Sequence, residues 1–471
     1  MTTSHNSSAS PESQGAVYHA SRKDMRRILF SSFMGTAVEY YDFILYATAA
    51  GIVFNKVFFA DLDPAIAIFV SFGTLAVGYV ARPLGGLIFG NLGDRVGRKT
   101  ILMATVLIMG IASTLMGLMP TTDQIGIWAP LLLVSLRFFQ GLAVGGEWGG
   151  AMLLAFESAK RQSRGFASSF AYMGAPAGTI LGTLILSLMT LLPSAQFLAW
   201  GWRVPFIFSA ALMMVAIFIR MKVSESRVFR EMSLASEKAQ RKVPVADLFR
   251  NHRKPLLAAV LAGLSGQMTQ GLMGAWAISY AVQQAILAPS EVLNMKAIGG
   301  VFTIVFIIIA SRLSDRFGRR RILVIGNLTA MALAFPVLFL LDAGSMLAFL
   351  AAMILGLSLV QGFTSGPYGA FAGELFPTSV RYSGTSVGYQ LASTLGAGFT
   401  PMIATALVIA GGGNLWMVGI LWMGFSALAL GGLLMSQDRS GEDIQSLDRV
   451  ESGVESAATP EIPGKQLASN I

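Results

Sequence analysis

Gly90-Asn-Leu-Gly-Asp94-Arg95-Val-Gly97-Arg98-Lys99 returns later in the chain as Ser311-Arg-Leu-Ser-Asp315-Arg316-Phe-Gly318-Arg319-Arg320. Each copy is a short polar link between two long apolar runs. The aspartates Asp94 and Asp315 are 221 residues apart, and so are Gln140-Gly141 and Gln361-Gly362. Glu157 and Arg164 return as Glu374 and Arg381 at an offset of 217, a slip of about one helical turn. Three ordered matches at nearly one spacing are a poor fit to chance among glycine-rich segments. They describe a chain built twice from one unit, and a parallel six-plus-six repeat is the architecture of one large class of rocking transporters.

Working outward from the links, the runs between them are long enough to cross a bilayer. Of 471 residues, 54% are hydrophobic and 13% charged, with a mean hydropathy of +0.63. A soluble chain of this size carries roughly a quarter charged residues, and its outer helices need polar faces that most runs here lack. Runs of about 20 apolar residues predict helices near 28–54, 65–90, 101–119, 128–156, 166–192 and 203–221. A second set falls near 255–282, 293–312, 322–341, 346–373, 383–410 and 415–436. The fold class expected is all-α membrane: twelve transmembrane helices in two pseudo-symmetric six-helix bundles.

Charge sets the orientation. The net charge of +9 sits in clusters between spans, which read as topology signals and not as a nucleic-acid surface. Arg95, Arg98, Lys99, Lys160, Arg161, Arg164, Arg312, Arg316, Arg319 to Arg321 and Arg381 share one side with residues 22–27 and the central loop; the opposite loops offer Lys56 and little else. Both termini are expected in the cytoplasm, in a cell (inner or plasma) membrane. The expected parts are a cytoplasmic tail 1–27, a bundle 28–221, a cytoplasmic loop 222–254, a bundle 255–436 and an acidic, Pro-containing tail 437–471 without fixed structure. No cysteine is present, and the three histidines lie outside every apolar run. Disulfides, thiolate metal sites and intramembrane histidine relays are thereby excluded. Metal ions and cofactors are not expected. Nor is an enzyme: no phosphate-cradling Gly-Lys-Thr loop or nucleophile–base pair stands out.

The paired links resemble the signature of the major facilitator superfamily, and further segments are similar to its metabolite:proton symporters. These segments are Glu39-Tyr-Tyr-Asp42-Phe, Arg82-Pro-Leu-Gly-Gly, Arg137-Phe-Phe-Gln-Gly-Leu-Ala-Val-Gly-Gly-Glu147-Trp-Gly-Gly, Trp202-Arg203-Val-Pro-Phe and Glu374-Leu-Phe-Pro-Thr with Arg381-Tyr-Ser-Gly. The likeness covers roughly residues 25–436 and extends to shikimate, α-ketoglutarate, citrate and proline/betaine permeases. Two departures stand out: Ser311 opens the second link where the family has glycine, and the C-terminal tail lacks an extended coiled coil.

Two sets of charged residues carry the expected function. In the links, Asp94 and Asp315 sit in tight turns allowed by Gly97 and Gly318, where a carboxylate can cap a neighbouring helix and Arg98 and Arg319 can reach acids at adjoining helix ends. Glu157 and Glu374 are their natural partners. Together with Arg95, Arg316 and Arg381 they form a candidate cytoplasmic gate; positive-inside charge alone would explain the arginines but not the acids. Within the spans, Glu39, Asp42 and Glu147 are the deep acids and Arg82 and Arg137 the deep bases, all in the first half. Each costs at least about 2.5–3.5 kcal/mol at mid-bilayer if unpaired. Glu39, Asp42 and Tyr46 share a helical face, with Glu39 roughly 16 Å into helix 1. A coupling proton must therefore ride a carboxylate: Asp42 and Glu39 first, Glu147 next. Arg137 is expected to hold a substrate carboxylate with its planar fork, and Arg82 to assist. Tyr46, Gln140, Tyr172, Gln267, Gln270, Tyr389 and Gln390 are candidate substrate-lining residues. Static Arg82–Glu147 and Arg137–Asp42 ion pairs are the competing account.

The function expected is proton-coupled import of a small organic acid by a monomer among membrane lipids, with no nucleic-acid partner. Uptake of proline- or betaine-like solutes, export, and a non-transporting receptor on the same scaffold are the alternatives.

Overall fold

The computed structural model describes residues 22–96, 98–145, 148–223, 245–284, 286–377 and 380–439. Residues 440–471 of the expected tail, most of the central loop, Gly97 and Glu147 lie outside the described residues, as do the side chains of Asp94, Arg95 and Arg98.

Among the described residues twelve helical passes follow one another: α1 (Met25–Val57), α2 (Pro64–Val96), α3 (Arg98–Leu118), α4 (Trp128–Val144 and Trp148–Ser158), α5 (Arg164–Met189), α6 (Ser194–Phe218), α7 (Arg253–Gln283), α8 (Pro289–Phe317), α9 (Arg319–Asp342), α10 (Met346–Leu375), α11 (Arg381–Ala410) and α12 (Trp416–Met435). Among the described residues ten are long and apolar enough to span a membrane by themselves, and α3 and α4 contain shorter apolar helices. Helices suit this composition because hydrocarbon offers no partner to a free backbone N–H or C=O. Large apolar side chains point outward along the passes, among them Leu188, Phe339 and Leu347; water would penalise such a surface, and acyl chains do not. An even number of passes returns the chain to the side where it began. We call that side the terminal face and the other the far face.

Small residues set the closest helix contacts. A Cβ on Gly141 would run into the Gly78 carbonyl, which locks α4 onto α2, and one on Gly178 would run into the Ala37 carbonyl, which locks α5 onto α1. The repeat seen in sequence is also structural. The first segment of α4 ends at Val144 and the corresponding segment of α10 at Ser365, each followed by a glycine, Gly145 and Gly366, that the 221-residue offset pairs. The widened π-helical turn Ala50–Phe54 of α1 has its counterpart in Leu272–Trp276 of α7, 222 residues on.

One expected boundary is wrong in an informative way. α8 begins at Pro289, four residues before the expected 293, because Pro occupies its first position and the Glu291 carboxylate accepts from the Ala288 amide (2.9 Å). Proline at a helix start followed by a back-bonding Glu is a strong N-terminal signal. Lys296 already fell inside the expected span near its mouth, and the earlier start sets it about two helical turns deep, where it is fully buried. Deep charge is therefore not confined to the first half, as the sequence suggested.

Candidate functional site

The buried cations of the first half converge on one aromatic ring. The Arg82 guanidinium lies 3.8 Å from the centroid of Phe43, and that of Arg137 lies 3.7 Å from it. Arg82 also faces Tyr79 (4.3 Å) and Arg137 faces Tyr46 (4.1 Å). Ring faces attract cations most where water is excluded, so three aromatics from α1 and α2 hold two positive charges deep in the bundle. Tyr46 is fixed in turn by donating to Thr74 Oγ1 at 2.7 Å. Arg137 Nη1 donates to Gln140 Oε1 at 2.5 Å, while its Nε and Nη2 have no hydrogen-bond partner. Nε and Nη2 are the side-on edge that meets a carboxylate with two parallel bonds. Gly78 lies against Nε, where a Cβ would collide with the guanidinium.

The static Arg137–Asp42 pair does not form. Asp42, buried, accepts from Ser209 Oγ of α6 at 2.5 Å and from Ser113 of α3. Ser113 Oγ also accepts from Gln140 Nε2 at 2.7 Å. Arg137, Gln140, Ser113 and Asp42 thus form one polar chain from guanidinium to carboxylate. Gln140, expected to touch solute, is the link within that chain. Sequence spacing could not reveal Ser113 and Ser209, since serines in membrane helices are common and most bond their own backbone. Glu39 is buried on the same helix, and a cavity of about 20 Å³ borders both Glu39 and Asp42 together with Gly35, Val106 and Met213. That volume suits a single water-sized guest. The expected shared face of α1 is therefore divided: Asp42 turns to α3 and α6, and Tyr46 to α2 and α4.

Residues of the second half close over this cluster. Tyr389 and Tyr40 share a hydroxyl hydrogen bond of 2.5 Å, Arg82 Nη1 donates to Ser393 Oγ at 3.4 Å, and Thr394 Oγ1 donates to the Tyr79 carbonyl at 2.8 Å. Gln390 Nε2 donates to the carbonyl of Gly145, the residue that caps the Trp128–Val144 segment of α4, at 3.4 Å. Tyr172 packs its ring edge-on to Tyr368 and Tyr389. Gln267 is buried and bonds Tyr389, and Gln270 is buried one turn further along α7. Of the expected lining residues, then, Tyr389 and Gln390 meet the first half directly. Glu147, as noted, is outside the described residues.

At the terminal face the described link side chains belong to the second link. Asp315, in the last turn of α8 and not in the turn itself, accepts from the Gly165 and Phe166 amides (both 2.9 Å) that open α5. A carboxylate there satisfies unpaired N–H groups and meets the positive end of the helix dipole. Gly318 follows with φ 99°, a conformation that favours glycine. Arg319 forms ion pairs with Asp315 (2.8 Å) and Glu374 (3.5 Å) within the second half. Glu157 pairs instead with Arg381, across the halves, at 3.3 Å, and Arg381 Nε also donates to the Gly373 and Phe376 carbonyls. Arg316 borders an open pocket at this face with Arg161 and Arg321.

The far face is also bridged. Ser279 Oγ and Gln283 Nε2 of α7 donate to the Gly51 carbonyl of α1 (2.8 and 3.1 Å), and Ser187 Oγ of α5 donates to Asn294 Oδ1 of α8 (2.8 Å). Lys296 Nζ donates to Thr48 Oγ1 at 2.8 Å. Contacts between the halves therefore exist at both ends of the bundle.

Comparison with known proteins agrees with this architecture. The profile of the Major Facilitator Superfamily matches residues 32–401. The shikimate transporter of Escherichia coli (strain K12) is 40% identical over 416 residues, covering 88% of this chain and 95% of its own. The inner membrane metabolite transport protein YhjE of the same organism is 41% identical over 421 residues, 88% and 94% of the two chains. The crystal structure of a D-xylose-proton symporter superimposes with a TM-score of 0.67 at 18% identity, over 88% of this chain and 98% of that one.

Proposed function

We propose that this chain, which belongs to the Major Facilitator Superfamily and is a multi-pass metabolite transporter and not an enzyme, imports a small organic carboxylate together with a proton. The observation that carries the proposal is the side-on edge of Arg137, without hydrogen-bond partners, buried at mid-bundle and joined through Gln140 and Ser113 to Asp42. A guanidinium in that setting offers a carboxylate two parallel charge-assisted bonds. The 40% identity to a shikimate transporter agrees with a ring or chain acid as solute.

In the mechanism we infer, solute enters with the bundle open at one face. Its carboxylate takes the Nε–Nη2 edge of Arg137 and alters the hold of Arg137 on Gln140, and so of Ser113 on Asp42. Asp42 and Glu39 carry the coupling proton beside their shared cavity. The halves then rock: the Gly51–Ser279 and Ser187–Asn294 contacts and the Glu157–Arg381 and Asp315–α5 contacts form in alternation. We place the terminal face in the cytoplasm of a cell membrane by the positive-inside distribution of charge, and each chain, acting alone among lipids, holds a complete pathway.

Purified protein in liposomes with an imposed pH gradient tests the proton assignment. Asp42→Asn is expected to abolish gradient-driven accumulation of radiolabelled shikimate while sparing exchange of solute across the membrane, and Glu39→Gln to weaken accumulation. If both variants accumulate shikimate as the unmodified protein does, the assignment is wrong.

A further inference from the structure

Lys296 is a buried charge that the proposed mechanism leaves unused. Its side chain is fully enclosed seven residues into α8, about 10 Å from the far end of that helix. Arg137 lies nine residues into α4, about 14 Å from the same face. The two cations thus sit at comparable depth, one in each half of the molecule.

The surroundings of Lys296 are polar but uncharged. Its Nζ donates to the Thr48 hydroxyl, which itself donates to the Ile44 carbonyl at 2.8 Å. No carboxylate among the described residues forms an ion pair with it or acts on it electrostatically. One turn deeper, the Gly299 carbonyl accepts from Ser358 Oγ of α10, and Ser358 is the residue that the repeat aligns with Arg137. An ammonium held in a membrane interior by a neutral hydroxyl leaves two of its three donors and all of its charge without a counter-ion. Such a group is costly, and intramembrane charges of this kind belong to solute or ion pathways.

We propose that Lys296 is a second cationic contact for the transported anion, contributed by the second half opposite Arg137. It rests on Thr48 while the far face is closed and is released to a solute carboxylate or ring hydroxyl when α1 and α8 separate. This proposal rests on the carboxylate reading of the pathway. It also gives that pathway a physical link between the halves, since an anion engaged by Arg137 and by Lys296 draws α4 and α8 together. The competing explanation is a tether, in which the ammonium does no more than hold α8 against α1.

Radiolabelled shikimate uptake by the full chain in liposomes separates the two, with α-ketoglutarate as a second probe. Lys296→Met keeps the length of the stem and removes the charge; Lys296→Arg keeps the charge. The expected result is a half-saturating concentration raised at least about tenfold in Lys296→Met, with the maximal rate changed less, and largely restored in Lys296→Arg. Unfolding temperature in detergent verifies that each variant is folded, and Lys296→Gln replaces Lys296→Met should the latter fail that check. An unchanged half-saturating concentration in a folded, uncharged variant overturns the proposal, as does a fall in maximal rate alone, which is the tether's signature. If the unmodified protein takes up neither probe, the carboxylate reading itself fails and Lys296 falls with it.

Discussion

Arg137 presents two free donors on one edge and spends its third nitrogen on Gln140. That division of labour is available to a guanidinium and not to an ammonium, whose donors are not arranged as a planar fork. Arg137→Lys keeps the charge and is therefore a sharp test. We expect the half-saturating concentration for shikimate to rise by about 10–100-fold, the scale of one lost charge-assisted hydrogen bond, measured as uptake against concentration in liposomes. Equal affinity in the lysine variant would mean that charge alone matters and that the fork is unused. Phe43 belongs to the same site: it is fully buried, and both guanidiniums lie against its ring. In the sequence it stood beside Asp42 as one aromatic among many, and aromatics in membrane helices are most often packing or interface anchors. Nothing in spacing along α1 says that a ring there meets arginines from α2 and α4.

At the scale of elements, the two halves meet at the far face through the wide turns of α1 and α7. A π-helical turn changes the local backbone bonding and recurs at functional positions. Here Gly51, inside one such turn, presents its carbonyl to Ser279 and Gln283, and a Cβ added to it would meet the Ser279 side chain. Gly51→Leu is expected to fold, to hold the far face open and to reduce shikimate uptake at least about tenfold. Because the chain has no cysteine, a single Ser187→Cys serves as reporter: in the Gly51→Leu background it should react with an impermeant maleimide from the side opposite the termini. A reporter as protected as in unmodified Gly51 protein would show that the turn does not govern closure. The helices themselves were legible because length and hydropathy are sufficient in a membrane. Their ends were less so, and function depended on the ends. Lys296 was overlooked because the expected start of α8 left it near the mouth of the span. Glu157 was expected opposite the link arginines, yet it meets Arg381, since an offset along the sequence gives the repeat of a residue and not its neighbour across the interface.

Across the whole molecule, duplication and asymmetry divide the work. The repeated links build a terminal face in which Asp315 caps α5 and Glu157 reaches Arg381, both across the halves. Glu157 is partly exposed, and such a pair alone contributes about 0.2–1 kcal/mol; many contacts of that size let two closed faces exchange without a large barrier. The unrepeated groups Arg137, Asp42 and Lys296 are those assigned to solute and proton. The central claim is that solute and proton cross together, and it is tested most directly by proton entry that solute itself provokes. Liposomes holding the purified chain and an internal pH-sensitive dye, with no gradient imposed, are given external shikimate. The account expects the lumen to acidify with the same concentration dependence as shikimate uptake, and Asp42→Asn to remove the signal. Uptake of shikimate with no acidification of the lumen would contradict it.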